Sequence, residues 1–226
     1  MSTPVAIVTG AGGALGRATS MTLTARGFTV VAVDRNERAL RDLPDNIRSE
    51  VADTTDAAVP APLIDRIASE IGAPEVLVNT IGAFEVGDAL AATPETLGRM
   101  IDVNLGAALW LSQAVAPHMK ERGSGAIVHV TARPGIEPTA GMAAYGVSKA
   151  ALVHLTRILD VELRPHGIRV NAVAPQLMDT SANRASFPAD VMARAVAPEA
   201  IAGLVAFLVS DVAAPVSGAI LPAYGG

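Results

Sequence analysis

In the stretch Ala143-Ala144-Tyr145-Gly146-Val147-Ser148-Lys149-Ala150-Ala151 a phenol and an ammonium stand four residues apart in a run that favours helix. That spacing puts both on one helical face. A phenol with pKa near 10 transfers protons poorly at neutral pH, and lowering it by roughly three units takes about 4 kcal/mol of preference for phenolate. A cation at about 4 Å supplies energy of that order at an effective dielectric of about 20. The chain has 17 Lys plus Arg, of which only Lys120 and Lys149 are lysines. The pair therefore reads as an ammonium placed to make a tyrosine a proton donor and acceptor, against the competing reading of a chance spacing on a solvated helix.

The elements that must position this pair follow from the hydrophobic pattern. Short apolar runs cover 5–9, 29–34, 47–52, 76–79, 126–131, 168–173 and 219–222. Most are continuous rather than alternating, as expected for strands covered on both faces of a parallel sheet. Helical patterns lie between them, near 15–26, 36–42, 56–72, 94–121, 141–164 and 198–210. Strand followed by helix, repeated, predicts a Rossmann-type doubly wound parallel α/β sheet of about seven strands with helices on both faces. A chain of 226 residues suits one domain, and no repeat, low-complexity tract or linker divides it.

Composition excludes several function classes. A net charge of −5 with no basic cluster argues against nucleic acid. There are no cysteines, and His118, His129, His154 and His166 are scattered without ligand spacing, so no metal site is expected and the histidines read as structural or surface residues. No apolar run reaches the ~20 residues of a membrane span, and the amino terminus has no signal pattern, so a cytoplasmic protein is expected.

The first strand runs into Thr9-Gly10-Ala11-Gly12-Gly13-Ala14-Leu15-Gly16-Arg17, a glycine-rich turn opening a helix. Such a turn admits a pyrophosphate against backbone N–H groups at the helix amino end, making Gly10, Gly12, Gly13, Leu15 and Gly16 candidate cofactor contacts. The second strand ends in Val33-Asp34-Arg35. A carboxylate there accepts bonds from ribose hydroxyls and repels a 2′-phosphate, so Asp34 favours NAD, while Arg35 leaves room for NADP. Asp53, ending the third strand, is placed to contact adenine, although a simple strand-end acid fits it nearly as well.

With these residues in this order, the chain resembles the classical short-chain dehydrogenase/reductase family from end to end. Thr9-Gly10 through Gly16 resembles the family's cofactor loop, with Ala14 where a glycine is usual; Asn79 and Gly82 match its Asn-Asn-Ala-Gly segment in part. Tyr145 and Lys149 fall on its Tyr-x-x-x-Lys pair, and Asp102-Val103-Asn104 on the segment bearing its asparagine. Ile168 to Pro175 is similar to its sixth strand. The resemblance implies that Tyr145 is the acid/base, that Lys149 lowers its pKa and holds the nicotinamide ribose, that Asn104 anchors a proton relay, and that Pro175 and Thr180 border the nicotinamide. It implies a small-molecule substrate and a homodimer or homotetramer, with the Tyr145 helix resembling the pairing element, although its Leu152, Leu155, Ile158 and Leu159 could equally all face their own sheet.

Three departures qualify it. Family members usually carry a serine thirteen residues before the tyrosine, and this chain has Ala132; loss of one donor to a developing oxyanion costs ~100 to 1000-fold in rate. Thr131 is adjacent but should point to the opposite face of its strand. Ala132 and Arg133 are thus the candidate substrate-side residues. Gln176 stands where a glycine usually follows Pro175, and the substrate lid, near 180–198, is short; the chain also ends at Ala223-Tyr224-Gly225-Gly226, without the family's usual tail. The leading expectation is an NAD(P)-dependent oxidoreductase moving hydride between nicotinamide and a small carbonyl, alcohol or imine-like substrate. A dihydropteridine-reductase-like activity and a catalytically impaired NAD(H)-binding protein are the two alternatives.

Overall fold

A computed structural model describes residues 3–225. Seven strands, β1 Val5–Thr9, β2 Thr29–Asp34, β3 Arg48–Val51, β4 Pro74–Asn79, β5 Gly125–Val130, β6 Ile168–Pro175 and β7 Ile220–Ala223, form one sheet in the order β3-β2-β1-β4-β5-β6-β7. Every pairing is parallel. The continuous apolar runs have the predicted cause. In β1, Ala6 and Val8 join one core cluster and Val5 and Ile7 the other, each at most 3% exposed, so both faces are covered.

The helices are α1 Ala14–Ala25, α2 Glu37–Arg41, α3 Pro60–Glu70, α4 Pro94–Ile101, α5 Ala107–Arg122, α6 Ala143–Leu163, α7 Ser181–Ser186, α8 Ala189–Met192 and α9 Pro198–Leu208. Leu15 and Leu23 of α1 pack with Ile201, Val205 and Leu208 of α9 on one face of the sheet. Leu63, Ile64 and Ile67 of α3, Leu111 and Val115 of α5 and Leu159 and Leu163 of α6 cover the other.

Four features differ from the sequence pattern. The third strand is shorter than 47–52 and its residues are largely exposed, because it is the sheet edge. The helix expected from 56 begins at Pro60, whose ring suits the first helical turn. The helix expected over 94–121 keeps its path but changes register through a π-helical turn at Asp102–Gly106. Two short helices, α7 and α8, occupy the short lid segment near 180–198, for which the sequence pattern predicts no helix.

The strand order reverses between β1 and β4, opening a crevice beyond their carboxyl ends, where sheets of this kind take ligands. Side chains pin its floor: Thr9 Oγ1 donates to Asn79 Oδ1 at 2.8 Å, and Thr80 Oγ1 donates to the Thr9 carbonyl at 2.8 Å. On the other side, the buried His129 of β5 bonds Thr156 of α6 through Nδ1 at 3.0 Å and Ser112 of α5 through Nε2 at 3.2 Å. One imidazole thus ties the strand to both helices that flank the site.

Burial, with a smaller effect of the Lys149 charge, pushes His129 down to about 4. The unfolded chain, with histidine near 6.5, then binds the extra proton between pH 6.5 and 4. Stability should be full above pH 6.5 and fall by about 3 kcal/mol as pH drops to 4. Urea unfolding of wild type and His129→Asn across that window tests this, the variant losing that share of the pH slope.

Candidate active site

The glycine-rich turn joins β1 to α1 and is as tight as its residues require. Gly10 has φ +70°, and a Cβ on Gly16 would lie 2.2 Å from the Gly10 carbonyl oxygen. The α1 N-cap, Gly13, supplies no side-chain bond to the first N–H groups of the helix, and Gly13 itself lines the crevice. Asp34 braces the turn: its carboxylate accepts from Gly12 N at 3.0 Å and from Asn36 N at 2.8 Å. Leu15 is buried in the core behind the turn. A cleft of about 490 Å³ runs past Gly10, Gly13, Asp34, Arg35, Asp53 and Gly82. It is also lined by Thr54, a residue the sequence did not single out, whose buried hydroxyl has no partner among the described residues.

Arg35 and Asp53 meet at 3.7 Å as an exposed pair, worth under about 1 kcal/mol. Bonds from the Thr55 hydroxyl and backbone N–H, and more weakly Arg35, hold the Asp53 carboxyl below its usual range. Asn79 stands at the end of β4, where its Oδ1 also accepts from Ile81 N at 3.2 Å, so its structural work lies in the crevice floor.

The π turn between α4 and α5 carries Asn104 fully buried. Its Oδ1 accepts from Ala83 N at 2.9 Å, and its Nδ2 donates to the Ala83 carbonyl at 3.0 Å and to Ser148 Oγ at 2.9 Å. Ser148 Oγ donates in turn to the Tyr145 carbonyl at 2.7 Å. Asn104 therefore ties the chain after β4 to the turn of α6 that presents Tyr145. Gly82 makes the approach sterically possible, since a Cβ there would lie 3.1 Å from both Asn104 Oδ1 and Lys149 Nζ.

Tyr145 and Lys149 share one face of α6 and one cavity of about 290 Å³, together with Ala132 and Pro175. Cleft and cavity meet at Thr80, Gly82 and Ala83. The electrostatics differ from the expectation. Burial pushes the Tyr145 phenol up to about 12 and the Lys149 ammonium down to about 8. Lys149 Nζ turns to the Val130 carbonyl at 2.9 Å, and the phenol ring packs edge-on against Phe84 with centroids 5.0 Å apart. Helical spacing puts both groups on one face, and burial, the cause that acts on each, makes the protonated phenol the favoured form at neutral pH.

Ala132 is buried on the cavity wall. Thr131 uses its hydroxyl on the Lys149 carbonyl at 2.9 Å, on the α6 face, so it has no free donor for the cavity. Arg133 donates from Nε to Glu137 at 2.7 Å and from a terminal nitrogen to Gln176 Oε1 at 2.9 Å, and it lies 5.0 Å over the Tyr224 ring. Thr180 accepts from Asn183 N at 3.2 Å and caps α7. Beyond the sequence-predicted set, Phe84, Met142 and Phe187 line the cavity and make its wall mainly apolar. Phe84 carried a weak signal as an aromatic in an irregular stretch just past a strand end.

A protein-family model described as short chain dehydrogenase matches residues 4–190. The chain is 39% identical to cis-4-hydroxycyclohexanecarboxylate dehydrogenase of Sinomonas cyclohexanicum, over 98% of this chain and 95% of that one. It is 39% identical to galactitol 2-dehydrogenase of Rhizobium johnstonii, over 96% and 91%. The solved structure of an NAD+-bound xylitol dehydrogenase superposes with a TM-score of 0.91 at 28% identity, over 100% and 99%. The chain belongs to the short-chain dehydrogenase family. It is an enzyme of short-chain dehydrogenase/reductase type, and its relatives bind NAD or NADP. Among the described residues no cluster has the makings of a metal site, and no helix is long and apolar enough to cross a membrane.

Removing the buried cation should help the fold. With Lys149 near 8 in the folded chain and about 10.5 unfolded, the cost of burying the ammonium is fully present below pH 8 and disappears as pH rises to 10.5. Lys149→Met should therefore stabilise the protein at pH 7 by about 1 to 3 kcal/mol, allowing for the hydrogen bond lost at Val130. Thermal melts at pH 7 and pH 10 check the sign, and the gain should shrink at the higher pH.

Proposed function

We propose that the protein is an NAD-dependent oxidoreductase that interconverts a small secondary alcohol and its ketone, with Tyr145 as the acid/base. The observation that carries this reading is the meeting of two spaces at Gly82: a glycine-walled cleft with a bare helix amino end, and an apolar cavity containing Tyr145 and Lys149. The bare N–H groups of α1, the glycine positions that exclude a Cβ and the orphan Thr54 hydroxyl suit a dinucleotide. Gly10, Gly12, Gly13 and Gly16 would face its pyrophosphate, Asp34 its adenosine ribose, and Lys149 the ribose next to nicotinamide. When bound, the cofactor supplies or accepts the hydride. The relatives' names point to alcohols as substrates: a hydroxycyclohexanecarboxylate, galactitol and xylitol.

In this reading the protonated phenol of Tyr145 gives its proton to the oxygen of a reduced carbonyl and takes it back in the oxidative direction. Asn104 positions α6 and Ala83 at the back of the site. The segment carrying α7 and α8 serves as the substrate lid. Ala132 stands where a serine hydroxyl would otherwise face the substrate. The family likeness supports pairing of subunits, as do Val147, Ile158 and Val161, which leave apolar surface exposed on the outer side of α6. A reading as a binding protein without chemistry is disfavoured by Lys149, since a scaffold gains nothing from a cation that burial penalises.

Two measurements test the proposal. Tyr145→Phe should abolish turnover while NADH binding, followed by fluorescence titration, stays intact; undiminished activity would sink the assignment. Asp34→Asn removes the charge and leaves one oxygen to accept from Gly12 or Asn36, which Asp34 serves with separate oxygens, and it should raise the NADPH-to-NADH ratio of kcat/KM by at least about tenfold, or 1.4 kcal/mol.

A further inference from the structure

The cavity around Tyr145 contains a second donor for a carbonyl oxygen, and its identification rests on the oxidoreductase reading above. Reducing a carbonyl builds negative charge on its oxygen, and donors already aimed there lower the barrier. The side-chain donors lining the cavity belong to Thr80, Thr131, Tyr145, Lys149, Gln176 and Asn183. Four already donate to backbone carbonyls, Thr80 to Thr9 at 2.8 Å, Thr131 to Lys149 at 2.9 Å, Lys149 to Val130 at 2.9 Å and Asn183 to Met178 at 2.8 Å, with Lys149 retaining two further N–H groups and Asn183 one. Among the described residues, the Tyr145 hydroxyl and the Gln176 Nε2 are the two that have no acceptor.

The orientation of Gln176 is set from outside the cavity. Its Oε1 accepts from Arg133 at 2.9 Å, and a guanidinium offers donors only, so the oxygen must face the arginine and the NH2 must be the other arm. Arg133 is held by Glu137 at 2.7 Å and by the Tyr224 ring at 5.0 Å. Gln176 is exposed at the cavity wall and lines it whereas Arg133 does not, so with Oε1 tethered to Arg133 the amide nitrogen is the arm left available to the cavity.

We propose that Gln176 Nε2 donates to the substrate carbonyl oxygen beside the Tyr145 hydroxyl, supplying the hydrogen bond that Ala132 has no hydroxyl to make. The donor enters from the strand-to-lid connection after Pro175, at the end of β6, the strand paired beside β5. Substrates should then be ketones whose oxygen reaches both donors and whose remaining surface suits Phe84, Met142 and Phe187.

Two variants test the donor. Gln176→Glu keeps the tether to Arg133 but donates nothing, and Gln176→Met removes the donor without adding charge. In both, kcat/KM for reduction of cyclohexanone should fall ~100-fold, as for loss of one oxyanion donor, with NADH binding unchanged. The carbonyl stretch of 13C-labelled cyclohexanone held beside NAD+ should be lowered in wild type and return toward its free value in both variants, a shift that a merely structural role would not produce. Wild-type kcat/KM and an unmoved band in the variants, or an unlowered band in wild type, would overturn the proposal. An inactive wild type whose lowered band the variants restore would keep the donor and end the oxidoreductase reading instead.

Discussion

The site depends on an ammonium held where water does not reach. Lys149 is 4% exposed and bonds one backbone carbonyl, with no carboxylate paired to it among the described residues. Holding a charge in that position constrains everything around it. Gly82 must lack a side chain, Asn104 must be turned inward by a π-helical turn, and β5 must end with the Val130 carbonyl pointing into α6. These requirements reach three separate elements, and each is met at a cost in packing or regularity. A fold that concentrates such costs at one place has a reason beyond its own stability.

The surrounding architecture absorbs those costs. Two apolar layers cover the sheet, and the polar residues that enter them are paired across elements rather than within them. His129 spans β5, α5 and α6, while Thr9 and Asn79 join the strands at which the sheet order reverses. The reversal creates the crevice, and the cross-links keep its two sides in register. Tyr145 then stands at the end of a long helix anchored along its length by Leu152, Leu159 and Leu163, so its position is set by the core rather than by a surface loop.

Much of this was legible in the sequence because the physics was local. Doubly covered strands read as unbroken Val and Ile runs, and the glycine-rich turn announced itself through residues that only a tight approach requires. The edge strand was read too long because edge residues need no apolar face, and the π turn was hidden because its residues suit an α-helix as well. The Tyr145 and Lys149 pairing followed from spacing, whereas the direction of their pKa shifts did not, since spacing gives distance and burial decides solvation. Gln176 stood out as a departure, yet its anchoring by Arg133 joins residues 43 positions apart, which no local pattern encodes.

The segment between Pro175 and α9 closes largely on itself. Arg184 pairs with Asp179, Thr180 caps α7, and backbone bonds join Asp179 N to the Val196 carbonyl and Val196 N to the Leu177 carbonyl. Its two ends are thus brought together just beyond β6 by its own bonds, and lengthening the intervening chain adds little closure entropy. In evolutionary terms the segment is a replaceable part. Insertions or exchanges between residues 180 and 196 can reshape the cavity wall to which Asn183 and Phe187 belong while leaving Tyr145 and Lys149 on their helix and the glycine-walled cleft untouched.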